Sequence, residues 1–127
     1  MTKIPAGVIA SLAAVLLLAG CSSAPSQAEA CATLNEQSAE LMTTLGGITA
    51  QDVDASEVAL EEAQGLVDSM ASVDGPGEFV ELRDRLVSAM SDFIDEGHAA
   101  IAGEPGDMLA VQADVTSATN DLIAYCS

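Results

Sequence analysis

Three thiols, one imidazole, five thioethers and twenty carboxylates are the groups of this 127-residue chain that chemistry could use. Metal binding is the first possibility such a set raises. Asp92, Asp95, Glu96 and His98 fall within about two helical turns, and Asp95 and His98, three positions apart, can meet on a helix surface. They are the candidates for a weak zinc or nickel contact. Ferritin-like di-iron bundles, however, take a Glu-x-x-His motif from each of two helices, and this chain has a single histidine. The expectation is therefore no metal centre, with His98 an ordinary polar residue near a helix end. Asp52-Val53-Asp54-Ala55-Ser56 begins like a calcium loop, but Glu57 stands where that loop needs glycine and Ala63 where it needs glutamate. Acidic residues there suit the positive end of a helix instead. For nucleophilic catalysis the chain offers no GxSxG, and His98 is the one imidazole base. A haem-attachment CxxCH and a phosphate-cradling glycine loop are also missing from the sequence. The sequence thus points away from an enzyme and implies no cofactor.

The cysteines are more informative. The first twenty residues carry a positive start at Lys3 and an apolar run from Val8 to Ala19, the pattern of an export signal. The segment is slightly short for a permanent span, which needs roughly 20 apolar residues. It ends in Leu18-Ala19-Gly20-Cys21, which resembles the lipobox of bacterial lipoproteins. The resemblance covers residues 1–21 only and implies that the signal is cut before Cys21. It also implies that the thiol of Cys21 receives a diacylglycerol and that the new amino terminus is acylated. Acyl chains of palmitate type contribute about 0.8 kcal/mol per buried CH₂, so two or more anchor stably. Residues 22–30, SSAPSQAEA, are small and polar without apolar periodicity and read as a flexible tether. Fully extended, such a tether reaches about 30 Å.

With Cys21 carrying lipid, Cys31 and Cys126 remain. Outside the cytoplasm disulfides persist, and a bond between these two would close nearly the whole folded region. Two free thiols are the alternative. Metal binding by this pair alone lacks the CxxC or His pairs of four-ligand zinc patterns.

The elements that must position these groups are helices. Apolar residues recur at helical spacing in four segments of the acidic domain, residues 31–127 and its approach. The first runs from about Ala28 to Leu45, with Cys31, Leu34, Ser38, Leu41 and Leu45 on its stripe, and ends at Gly46-Gly47. The second starts near Thr49, with Asp52 as a capping partner, carries Val53, Leu60, Ala63, Val67 and Met70, and stops at Asp74-Gly75. The third opens at Pro76 and carries Val80, Val87, Ile94 and Ile101, flanked by Phe79, Leu86 and Phe93, before Gly103 closes it. Pro105 opens the fourth, with Met108, Val111, Val115, Ala118, Leu122 and Tyr125. Short connections favour antiparallel neighbours, so the fold class is all-α, a small up-down-up-down four-helix bundle. That topology puts Cys31 and Cys126 at the same end, which supports their pairing. Met42, Met70, Met90 and Met108, one per segment, would then spread over roughly 30 Å, too far apart to share a copper ion. Filling the core is their expected role.

Charge narrows the partners. Loss of Lys3 with the signal leaves two arginines against twenty carboxylates, a net of −18. Such a surface repels nucleic acid and anionic lipid and attracts cations or a basic protein surface. Taken together, these features describe a lipid-anchored protein on the extracytoplasmic face of the cell membrane. Its expected job is that of a non-enzymatic binding or accessory module of the envelope. The alternative is a carrier of a small ligand or metal ion, using the bundle interior or the acidic cluster around His98.

Overall fold

The computed structural model describes residues 25–49, 51–104 and 106–127; the export signal, the lipobox and Cys21 lie outside them. Four helices follow in order, α1 Gln27–Leu45, α2 Val53–Met70, α3 Gly77–Ile101 and α4 Met108–Cys126, with no strand among the described residues. Three of them begin where a side-chain oxygen meets an amide that the helix leaves unpaired. Ser26 accepts from the Glu29 amide at 3.2 Å, Asp52 from Ala55 at 3.0 Å and Asp107 from Ala110 at 3.0 Å. Before α3 stands Pro76, which makes no side-chain cap but supplies a fixed φ suited to a helix start. The end of α3 is closed by Gly103 at φ +81°, in the left-handed region that glycine adopts without strain. The Gly103 amide then reaches the Ala100 carbonyl at 3.2 Å and the Glu104 amide reaches Ala99 at 2.8 Å, the paired bonds of a Schellman cap.

Several boundaries differ from expectation. Thr49 does not open α2, because Asp52 is itself the cap. The Thr49 backbone instead bonds Ser56, whose hydroxyl donates to the Thr49 carbonyl at 2.8 Å and accepts from its amide at 3.2 Å. The second helix ends at Met70 rather than running to Asp74-Gly75. The fourth starts at Met108 behind Asp107, and Pro105 lies outside the described residues. The first helix begins at Gln27, one residue from the start expected at Ala28, so its first turn takes up residues 27–30 at the end of the tether.

The core is aliphatic with one aromatic ring at its heart. Leu41, Leu60, Val67, Met70, Phe79 and Ile94 are fully buried, joined by Leu34, Leu86, Met90 and Leu122. Each such side chain contributes roughly 1.5–3 kcal/mol by leaving water. On α3 the buried row is Phe79, Leu86, Ala89, Met90 and Ile94, while Val80, Val87 and Ile101 lie half-buried beside it. Val53 stays 49% exposed, because it opens α2 at the rim of the bundle, and Ser56 takes the inner position. Met42 is 63% exposed, so it does not fill the core as Met70 and Met90 do.

α1 packs on α2, α2 on α3 and α3 on α4, whereas α1 and α4 touch at few points. That last seam is held covalently. Cys31, in the second turn of α1, is bonded to Cys126 at the end of α4, 95 positions later, with Cα atoms 5.8 Å apart. The up-down-up-down bundle and its staple therefore occur together.

Candidate functional site

The polar candidates do not converge. Asp92, Asp95 and His98 are exposed on α3 and Glu96 is half-buried. At about 100° per residue, Glu96 and His98 leave the helix on nearly opposite sides. Glu96 is occupied elsewhere, since its Oε2 accepts from the Gly106 amide at 2.9 Å and braces the connection into α4. Among the described residues no group of three or more His, Cys, Asp or Glu side chains stands close enough to hold a metal ion.

Both arginines sit toward the disulfide end of α3. Arg83 donates to the Val73 carbonyl at 2.6 Å and pairs with Asp84 at 2.6 Å, fixing the α2–α3 connection. Arg85 pairs with Asp121 of α4 at 2.9 Å, with both side chains about half exposed. An exposed pair of this kind is worth little, about 0–1 kcal/mol. Two more links tie the same end: Gln27 Nε2 donates to the Tyr125 carbonyl at 2.6 Å, and the Phe79 and Tyr125 rings lie 6.5 Å apart.

Two clefts open on this frame, and neither has an ionisable side chain in its lining. One is the unfilled α1–α4 seam, about 540 Å³, with Leu34, Leu86 and Leu122 as its floor and the disulfide across its end. It stays open because α1 presents Ala28, Ala32 and Ser38 there, side chains too short to reach α4. The second, about 380 Å³, lies at the opposite end between the start of α2 and the end of α3. Its walls are Ile48, Val53, Phe93, Ile101 and Met108, and Leu60 and Ser56 close its base. Gly97 sets that base: a Cβ there would stand 2.9 Å from Leu60 Cδ2, so the glycine lets α3 approach α2 closely. Reading the sequence by apolar stripes did not anticipate either cleft. The available signal was Gly97 itself, a poor helix former inside a strongly periodic segment.

No helix of the described residues is long and apolar enough to cross a membrane. The chain matches no protein-family model, no curated protein and no solved structure.

Proposed function

We propose that this chain is a bacterial lipoprotein, held by lipid on Cys21 at the extracytoplasmic face of the cell membrane, that acts as a non-enzymatic binding module. The observation that carries the binding role is the pair of apolar clefts in an otherwise acidic surface. Apolar concavities with few polar groups are the usual form of recognition sites, and general acid–base or nucleophilic chemistry would need titratable side chains aimed into them. The anchoring role rests on the residues Leu18-Ala19-Gly20-Cys21. It is supported by the short distance from Cys21 to the fold, since five steps to Ser26 span at most about 17 Å. The domain is thereby held near the membrane, and among the described residues no helix is long and apolar enough to cross it.

The experiment is fractionation of cells expressing the wild type and Cys21→Ala. Wild type should pellet with membranes and incorporate labelled palmitate; the variant should take up none and either keep its signal or leave the membrane. Palmitate-free wild type in the soluble fraction would contradict the proposal. A second reading, a carrier of a small apolar ligand, draws on the cleft volumes, which lie within or near the roughly 300–1,000 Å³ of small-molecule sites. Saturable uptake of a neutral apolar fluorophore, which basic peptides do not displace, would favour it.

A further inference from the structure

We propose that the cleft at the end opposite the disulfide docks a basic protein segment that presents apolar anchor residues between lysines or arginines. This deepens the reading of the chain as an envelope binding module and rests on it for the role, though not for the geometry. Both ends carry carboxylates, but the two arginines lie at only one of them. Arg83 and Arg85 lie toward the disulfide end and are engaged by Asp84, the Val73 carbonyl and Asp121. Near the opposite cleft stand Asp52 and Asp54 at the start of α2, Glu96 on α3 and Asp107 at the start of α4, and neither arginine lies there. Among the described residues, the one basic side chain of that end is His98.

An apolar floor inside an acidic rim is complementary to an apolar anchor inside a basic rim. The cleft, about 380 Å³, has room for one or two aliphatic side chains, and Val53, 49% exposed, extends its wall outward. Anionic amphiphiles such as free fatty acids are disfavoured by the same carboxylates. The rim acids are distributed over three helices, which suits several cationic side chains of a chain segment better than one small headgroup. α1 begins at the disulfide end, so the cleft lies at the end of the bundle away from that helix start.

The test uses the mature exported chain, in phosphatidylcholine discs if it carries lipid and in buffer if it does not. The lipid is read separately by mass, so failure of the anchoring reading and failure of the cleft assignment are distinguishable. The probe is fluorescently labelled Lys-Lys-Leu-Leu-Lys-Lys, followed by anisotropy, with the Ser-Ser analogue as control. The leucine peptide should bind saturably, more weakly as salt rises, and the serine analogue about tenfold or more weaker. Ala100→Trp fills the cleft from an exposed position on α3, and Val53→Lys puts a cation on its wall. Each should weaken the leucine peptide by about tenfold or more. Ala32→Trp in the α1–α4 seam should leave it within about twofold. Circular dichroism identifies any variant that fails to fold, and the other cleft variant then decides. Equal binding of the two peptides, or folded cleft variants that bind like wild type, would overturn the proposal. So would a neutral probe, N-phenyl-1-naphthylamine, that Ala100→Trp displaces while the peptide fails to bind.

Discussion

Each end of the bundle carries an apolar cleft, but the two ends differ in the links that hold them. At one end the disulfide, the Gln27–Tyr125 bond and the Phe79–Tyr125 contact tie α1, α3 and α4 together, and the Arg83–Val73 bond holds the α2–α3 connection. At the other, Ser56 and Glu96 hold two connections, and the space between α2 and α3 is left open as a cleft. The difference shows how an aromatic-poor chain divides its small supply of cohesion. Its two phenylalanines lie fourteen positions apart on α3, one sealed among the links and one forming a wall of the opening. The cross-links are concentrated at the disulfide end, where the wider α1–α4 cleft opens beside them, and the opposite end has fewer links around its smaller cleft.

Breaking the closed end should have the largest effect. Reduction, or Cys31→Ser with Cys126→Ser, releases a loop closure worth about 4.7 kcal/mol in the chain-entropy model. For a domain of about 100 residues that lowers Tm by roughly 20 °C or more. Thermal melts followed by circular dichroism check it, and an unchanged Tm would mean that the staple adds nothing to the fold. The paired phenylalanines sharpen the contrast. Phe79→Ala should cost about 3–5 kcal/mol, whereas Phe93→Ala, at a half-buried wall, should cost about 1–2 kcal/mol. Urea titrations of both variants measure the ratio; equal losses would remove the distinction between the ends.

Smaller effects are expected at the open end. Ser56→Ala removes two hydrogen bonds to the exposed backbone of Thr49, which water can replace in part, so about 1 kcal/mol should be lost. The smallest concerns ions. With a net charge of −17, NaCl should stabilise the fold gradually by screening, over a Debye length of about 8 Å at 0.15 M. Ca²⁺ at matched ionic strength should add little, whereas a specific site would add about 2.7 kcal/mol at a hundredfold excess over Kd. A saturable rise in Tm with Ca²⁺, lost in His98→Ala or Asp95→Asn, would show that Asp92, Asp95, Glu96 and His98 do gather around an ion.

Helix number and order were legible because they depend on local signals: apolar periodicity, Pro76 and Asp52 near helix starts, Gly103 after an end; the cysteine pair followed from the cysteine count and from the topology that brings Cys31 and Cys126 to one end. Which row of α3 faces inward was not. Phe79 and Val80, or Leu86 and Val87, are neighbours at about 100° on the helix, and both rows are apolar, so periodicity alone does not rank them. The rank is decided by contacts with other helices: Phe79 and Leu86 face inward in the first part of α3, and Ile94, from the other row, does so further on, with Phe93 half-buried. Met42 and Val53 were misplaced for a related reason, since position along the bundle decides whether an inward stripe has anything to face. The clefts were less legible still. They depend on how far short side chains at Ala28, Ala32 and Ser38 leave α1 from α4, and on how near Gly97 brings α3 to α2. The polar candidates failed by helix angle, because nearness in sequence put Glu96 and His98 on different faces.

The central claim is that one end of this acidic bundle is tied to a membrane through Cys21 so that the other can bind. The most direct measurement is the intact mass of the wild-type protein from the membrane fraction, with fragmentation of its amino-terminal peptide. The account predicts a chain that begins at Cys21 and carries a diacylglyceryl thioether on that residue. A chain cleaved before Cys21 with its thiol free and no acyl mass would contradict it.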